Sequence, residues 1–193
     1  VGCVPQRDSD TGALARYFGS ISGTKEFKLR GIEARQRSTP AFVRSVQQDC
    51  IARLAETRSP DAVINRLASA IGTLQAGAAA IENLIIKTKV SKPLHNYEQD
   101  TMTVAALQRA EDLGLTHHPG EEIEYVVADD SKSSRDRVRL AHEAVDTYDP
   151  DYYETQVIRA TESVLSPLGW DQNDIRTALS NRRRPELTAF HTE

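Results

Sequence analysis

The chain has 193 residues, of which 39% are hydrophobic, so it is long enough to bury the core of one medium-sized domain. Its formal net charge of -4 excludes a uniformly basic nucleic-acid-binding domain, so any contact with phosphate must depend on a local cluster of cations. Two distant cysteines indicate neither a disulfide framework nor a zinc site. No apolar run suits a membrane span and no secretory signal is present, so we expect a soluble cytoplasmic protein with no membrane partner.

Residues 1–38 predict β structure. Short apolar and aromatic runs flank the turn-forming stretch GSISGTKE, an arrangement typical of a β-hairpin. The segment is too short to hold a core, so we expect it to be the edge of something larger. Asp8 and Asp10 resemble a paired-carboxylate metal site only superficially, because their charged and turn-forming neighbours would not hold two carboxylates rigidly. We therefore predict a loop there.

Two helices are predicted next. A Ser-Thr-Pro start and apolar residues at helical spacing predict a helix over about 40–57. For the second helix, Ser59 is the expected N-cap, Pro60 the first position and Gly77 the stop. We expect the pair to form an antiparallel hairpin.

The stretch KTKVSKPLHNY, residues 87–97, carries three of the six lysines of this acidic chain. The aliphatic and β-branched residues before and within it predict a strand that ends at Pro93. On such a strand, Lys87, Lys89 and Ser91 share one face. The residues either contact phosphates or protect a solvated edge strand from aggregation, and the pattern alone leaves both interpretations open.

The rest of the chain alternates between helix and strand. TMTVAALQRAEDLGL predicts a helix that ends at Gly114, and a turn at Pro119-Gly120 leads to a strand over Ile123–Val127. SKSSRDRVR predicts a polar loop whose cations are either solvated or a further contact with phosphate. An acid-capped helix within DPDYYETQVIRATESVLSPLGW and a short helix at DQNDIRTALS complete the pattern. The elements together predict an α+β fold.

Other polar residues have two interpretations each. Thr101 and Thr103 begin a helix, where hydroxyls and free backbone N–H groups suit a phosphate or simply cap the helix. Arg35 and Arg37 would point to the same side if extended, and either phosphate contact or an ion pair with Glu33 would explain them. The two histidines at 117–118 adjoin a turn and lack partners at metal-ligand spacing, so we predict no metal site.

Four segments occur in the order and approximate spacing of one known family. GIEARQRSTPAF, LIIKTKVSKPLHNY, AALQRAEDLGLTHHPGEEIEYVV and YDPDYYETQVIRATESVLSPLGW resemble the C-terminal end of archaeal family B DNA polymerases. The resemblance implies that residues 1–38 close the palm domain with a β-hairpin. It implies that residues 39–180 form the thumb, a mainly helical domain with a small β element that grips the primer-template duplex.

The same resemblance sets the expected chemistry and partners. The three catalytic motifs of the family are absent, so it implies no catalytic or metal-binding residue here, while the complete DNA-directed DNA polymerase, a nucleotidyltransferase, would use Mg²⁺. The expected partners are primer-template DNA and the remaining palm, the fingers and the exonuclease domain. The first residue, Val1, is not methionine, which favours a fragment of a larger polypeptide.

The residue chemistry and the resemblance together select ten candidate DNA-binding residues. Arg16 and Tyr17 match part of the family's K-K-R-Y element, which contacts the minor-groove side of the duplex. The full set is Arg16, Tyr17, Arg35, Arg37, Lys87, Lys89, Ser91, Lys92, Thr101 and Thr103. A free-standing, non-catalytic nucleic-acid-binding protein with a thumb-like domain is the alternative function, and a degenerate remnant of a polymerase is a third.

The C-terminal tail, residues 181–193, is expected to be flexible. It is similar to the family's sliding-clamp-binding peptide, in which one aliphatic and two aromatic side chains enter a pocket on the clamp. Leu187 and Phe190 occupy the aliphatic position and one aromatic position. The resemblance therefore adds a sliding clamp to the expected partners.

Overall fold

The computed structural model describes residues 2–6, 9–20 and 27–183, and its strands and helices follow in chain order. The strands are β1 (Gly2–Gln6), β2 (Ser9–Ser20), β3 (Phe27–Arg30), β4 (Ile86–Lys89), β5 (Glu122–Val127) and β6 (Val138–Leu140). The helices are α1 (Ala41–Thr57), α2 (Pro60–Gln75), α3 (Met102–Asp112), α4 (Pro150–Leu165) and α5 (Gln172–Arg183). The fold therefore combines helices with small antiparallel sheets.

The first sheet has the order β1-β2-β3, with both pairs antiparallel. The predicted hairpin is confirmed, since β2 pairs with β3 from Tyr17 opposite Arg30 onward, and its turn lies outside the described residues. The loop predicted at Asp10 is wrong, because Asp10 lies within β2. The pairing of β1 with β2 overrides the local turn chemistry there. Asp8 lies outside the described residues.

The first two helices occupy the predicted ranges. Ser59 is the N-cap residue of α2 and Pro60 its first residue, although the Ser59 side chain makes no capping hydrogen bond. Two residues connect the helices, and the Arg66 Nε atom lies 2.9 Å from the Asp49 Oδ2 atom near the middle of each helix. The pair therefore forms the expected hairpin. Gly77 has a φ of 67°, which favours glycine where the chain turns away from α2.

The second sheet has the order β4-β5-β6, again antiparallel. The sequence predicts β4 and β5 but not β6, where a polar loop was expected. Val138 and Leu140 of β6 are buried on either side of the half-buried Arg139. A strand of three residues is too short to produce a periodic signal, so its pairing with β5 decides the conformation.

A single hydrophobic core joins the helices to the second sheet. Tyr153 of α4 is fully buried, and its hydroxyl donates to the Leu84 carbonyl at 2.9 Å and accepts from the Val127 N–H at 3.1 Å. Burial raises the pKa of this hydroxyl above its ordinary value. These bonds fix the sheet against α4. No helix in the described part of the chain is long and apolar enough to cross a membrane.

Candidate nucleic-acid interface

A hollow of about 390 Å³ lies where β4 ends and the chain turns toward α3. The Val90 N–H donates to the Glu121 carbonyl at 2.8 Å, and the Val90 carbonyl accepts from the Gly120 N–H at the same distance. These bonds continue the β4–β5 pairing and fix the point where the following residues leave the sheet. The hollow is lined by five of the ten candidates: Lys89, Ser91, Lys92, Thr101 and Thr103.

Tyr97 holds two of these candidates in place. The Lys92 Nζ atom lies 5.0 Å from the centroid of the Tyr97 ring, a cation–π contact. The Tyr97 hydroxyl accepts from the Ser91 N–H at 3.2 Å and also lies 3.2 Å from Ser91 Oγ. The side-chain hydrogen bond with Ser91, aided by the Lys92 charge, lowers the pKa of the Tyr97 hydroxyl. The sequence analysis missed Tyr97. The feature that could have indicated it is an aromatic residue at the end of a turn that contains proline.

The two threonines at the start of α3 have different roles. Thr101 is the N-cap, and its Oγ1 atom accepts from the Val104 N–H at 3.4 Å, so the capping interpretation is confirmed for it. Thr103 instead pairs with the Tyr125 hydroxyl, which also pairs with Thr88 of β4. Burial raises the pKa of the Tyr125 hydroxyl. Thr88 and Thr103 of this cluster of hydroxyls line the hollow, and the sequence analysis missed the cluster's members on β4 and β5.

The lysines along β4 differ in their pairing. The Lys87 Nζ atom lies 2.6 Å from the Glu124 Oε1 atom on β5, so an acidic partner compensates its charge. Lys89 lies opposite Glu122 in the strand register, but it forms no ion pair with a described residue. The Glu122 Oε1 atom lies 3.7 Å from Arg37 Nη1. Lys89 and Lys92, which form no ion pair with a described residue, therefore lie together at the end of β4, where the exposed Glu98 also lines the hollow.

The candidates from the first sheet and its connector do not line this hollow. The Arg16 Nη2 atom lies 3.1 Å from Glu33 Oε1 and 3.0 Å from Ser163 Oγ, so internal partners occupy this guanidinium. Tyr17 is half-buried on β2. The ion pair with Glu33 considered for Arg35 and Arg37 is not formed, because Glu33 pairs with Arg16 instead.

Three of the four cations of the SKSSRDRVR segment are paired with acidic residues, and the fourth, Arg139, donates to backbone carbonyls. The Lys132 Nζ atom lies 3.7 Å from Asp129 Oδ2, Arg135 pairs with Asp112 of α3, and Arg137 pairs with Asp130. These ion pairs tie the segment to the two residues just before it and to α3. Its charge is largely compensated, in contrast to that at the end of β4.

Comparison with known proteins identifies the family. The model of the family described as DNA polymerase family B matches residues 14–168. The chain belongs to DNA polymerase family B. The matched range contains all ten candidate residues and the whole second sheet, so the resemblance stated from the four segments is confirmed at the level of the family.

Individual family B relatives are similar over most of this chain. The DNA polymerase of Thermococcus litoralis is 26% identical over 165 residues, which cover 83% of this chain and 10% of the relative. That of Thermococcus gorgonarius is 25% identical over 165 residues, covering 83% of this chain and 21% of the relative. DNA polymerase 3 of Saccharolobus shibatae is 23% identical over 163 residues, with the same coverage of 83% and 21%. The chain thus spans between a tenth and about a fifth of these relatives.

A solved structure supports the family B fold. The structure of the family B DNA polymerase from the hyperthermophilic archaeon Pyrobaculum calidifontis superposes with a TM-score of 0.65 at 20% sequence identity. The match covers 81% of this chain and 21% of that chain. At this identity, the comparison shows that the two share a fold.

Two further predictions concern the tail and metal ions in this family B chain. Leu187 and Phe190 lie beyond the matched range and outside the described residues, so clamp binding stays a prediction. Within the described ranges, no group of three or more His, Cys, Asp or Glu side chains could hold a metal ion. The described residues therefore do not fit a metal centre.

Proposed function

We propose that this family B chain forms the edge of the palm (1–38) and the thumb (39–180) of a DNA-directed DNA polymerase, and that it grips the primer-template duplex. The supporting observation is the convergence of Lys89, Lys92 and hydroxyl side chains on one hollow. Ammonium groups and hydroxyls suit phosphate oxygens. Contact with the backbone alone tolerates any base sequence, which template-directed synthesis requires.

The whole polymerase would transfer nucleotides to a primer with Mg²⁺ held by carboxylates outside this chain. The described residues support this proposal, since they place cations and hydroxyls together and form no metal-binding group. The chain would therefore raise the affinity of the polymerase for the duplex and increase the number of nucleotides added per binding event. The remaining palm, the fingers and the exonuclease domain are its proposed partners.

Salt-dependent binding tests the proposed grip. We expect the chain to bind a fluorescein-labelled primer-template duplex with an affinity that falls linearly with salt on a logarithmic plot, measured by fluorescence anisotropy. Lys92→Gln should reduce the slope by about one, because one phosphate contact is lost. Lys132→Gln is the matched control, since Lys132 faces Asp129 away from the hollow. Affinity that is independent of salt would contradict the proposal.

A second test uses the whole polymerase. We expect Lys92→Glu to shorten the product made in one binding event, while the rate of single-nucleotide addition stays close to that of the unmodified enzyme. The reason is that Lys92 lies in a binding hollow that contains no metal-binding group among the described residues. Equal losses in product length and in single-nucleotide rate would indicate damage to the fold instead.

The tail belongs to the same proposal. We propose that Leu187 and Phe190 insert into the hydrophobic pocket of a sliding clamp, as an aliphatic and an aromatic anchor. Replacing both residues with alanine should abolish clamp-dependent stimulation of synthesis and leave synthesis without the clamp unchanged. Clamp stimulation that survives both replacements would remove this part of the proposal.

A further inference from the structure

A second hollow, of about 330 Å³, adjoins the first one across Thr88. It lies between the connector that precedes α1, the inner side of β4 and the exposed side of α4. Its volume is within the range of sites that bind small groups. Thr88 and Tyr125, two members of the cluster of hydroxyls described above, line it from the sheet. The two hollows therefore share Thr88 as a lining residue and lie next to each other along β4.

Several polar side chains around the second hollow have no partner among the described residues. Arg159 of α4 is exposed and forms no hydrogen bond or ion pair with a described residue. The same holds, among described residues, for the other uncharged polar side chains of the connector and α4 that line the hollow: Gln36, Ser38, Thr39 and Gln156. A guanidinium surrounded by amides and hydroxyls, all without partners, has the composition of a binding site for an anion with polar neighbours.

The negative charge in this hollow is already compensated. Glu33 lines it, but the Glu33 carboxylate accepts from Arg16 at 3.1 Å, from Ser163 at 3.0 Å and from Gln47 at 2.7 Å. Arg159 therefore does not have a free carboxylate to pair with, and an incoming phosphate meets a cation without an opposing anion. This contrasts with Lys87 on β4, whose charge Glu124 compensates.

We propose that the second hollow binds the sugar-phosphate backbone of DNA, with the Arg159 guanidinium on a phosphate. Because Thr88 lies between the two hollows, the DNA strand that contacts Lys92 continues over Thr88 to Arg159. Gln156, one helical turn before Arg159 on α4, supplies an amide to the same stretch of backbone. This site rests on the proposed grip and extends it from β4 to α4.

Removing the Arg159 charge tests this site on the full chain. We expect Arg159→Gln to weaken binding to a primer-template duplex about threefold to tenfold and to reduce the salt slope by about one. Arg176→Gln is the matched control, because Arg176 is exposed on α5 and also forms no ion pair with a described residue. Arg159 makes no internal contact of this kind, so thermal unfolding should not change. An Arg159→Gln variant that binds like the Arg176→Gln variant overturns the site.

Single uncharged phosphates locate the contact. A methylphosphonate group is placed at one position at a time along each DNA strand. At the phosphate that Arg159 contacts, this group should weaken the binding of the unsubstituted chain but not that of the Arg159→Gln variant, which has already lost the contact. We expect the phosphate contacted by Arg159 to lie on the same DNA strand as the phosphate contacted by Lys92, which the Lys92→Gln variant locates in the same way. If Lys92 shows such a position and Arg159 shows none, the second site is overturned while the grip stands. If the unsubstituted chain shows no salt-dependent binding, both are overturned.

Discussion

The Gln47 Nε2 atom of α1 lies 2.7 Å from the Glu33 Oε2 atom in the connector that follows the first sheet. Gln47 is fully buried, and the same carboxamide accepts from the Ala34 N–H at 2.6 Å and donates to the Ala160 carbonyl at 2.7 Å. Every polar group of this side chain therefore has a partner, and the three partners lie on two separate parts of the chain. Gln47 joins the connector to α1 and α4.

Replacing Gln47 should destabilise the chain strongly. We expect Gln47→Leu to lower the free energy of unfolding by about 3 kcal/mol, because it leaves the buried Ala34 N–H without an acceptor and removes one donor each from the Glu33 carboxylate and the Ala160 carbonyl. Urea denaturation followed by circular dichroism measures this change. The neighbouring Gln48 is exposed on the same helix, so Gln48→Leu should change the stability little. Equal effects of the two substitutions would show that the buried network does not contribute.

Removing the acidic partner of Lys87 should strengthen DNA binding. In Glu124→Gln, the Lys87 ammonium loses its partner at 2.6 Å and becomes available to a phosphate. We expect the affinity for duplex to rise about threefold and the salt slope to steepen by up to about one. Glu82→Gln, at an exposed position outside both hollows, makes the same change in net charge and should leave the slope unchanged. An identical response of the two variants would mean that only net charge matters.

The ion pair between Glu143 and Arg109 should make stability depend on pH. Arg109 hydrogen bonds lower the pKa of the Glu143 carboxyl, and the two atoms of the pair lie 2.6 Å apart on mostly buried side chains. A carboxyl with a lowered pKa stabilises the fold above its ordinary value of 4.5 and loses that effect as the pH falls through its folded-state pKa. We expect Glu143→Gln to cost about 1 to 2 kcal/mol at pH 7.

That cost should start to shrink near pH 4.5 and continue to shrink below it, because the unsubstituted carboxyl becomes neutral as well. Urea denaturation at a series of pH values measures it. Glu111→Gln is the control, since Glu111 is exposed on α3 and forms no ion pair with a described residue. A cost for Glu143→Gln that stays constant from pH 7 to pH 3 would contradict this account.

The buried thiol of Cys50 should be unreactive in the folded chain. Burial raises the pKa of Cys50 to about 11, and its side chain is fully buried. At pH 8, about one such thiol in a thousand is ionised. In a Cys3→Ser background, we expect Ellman's reagent to label Cys50 slowly without denaturant and fully in denaturant. Rapid labelling of one equivalent in the folded chain would show that the core opens near α1.

Local signals explain what could be predicted about the fold. Ser59 and Pro60 together predict a helix start within two residues, and α2 begins there because the fixed φ of Pro60 suits the first helical position. The strand at Lys87–Lys89 is predicted from its own β-branched and aliphatic neighbours. In contrast, β6 forms because β5 offers a pairing edge, and Asp10 lies in a strand because β1 pairs with β2.

The candidate site was predicted only in part, for a related reason. Lys92 and Thr103 are cationic and hydroxyl residues near a strand end, so their chemistry is visible in the sequence. The pairing of Lys87 with Glu124 and the contact of Lys92 with Tyr97 depend on strand register and on the path of a turn. The sequence shows no difference between the β4 lysines, and the register places each of them opposite a glutamate of β5. They differ because Glu124 pairs with Lys87, whereas Glu122 pairs with Arg37.

This uneven pairing of the β4 lysines makes the charge on the surface differ between the two ends of the strand. Positive charge is compensated at Lys87 and remains uncompensated at Lys89, over two residues of one strand. A row of identical phosphates lying along β4 would therefore meet an electrostatic potential that becomes more favourable toward the turn. Movement of the phosphates along β4 toward the turn would therefore differ in energy from movement away from it, although all the phosphates are chemically the same.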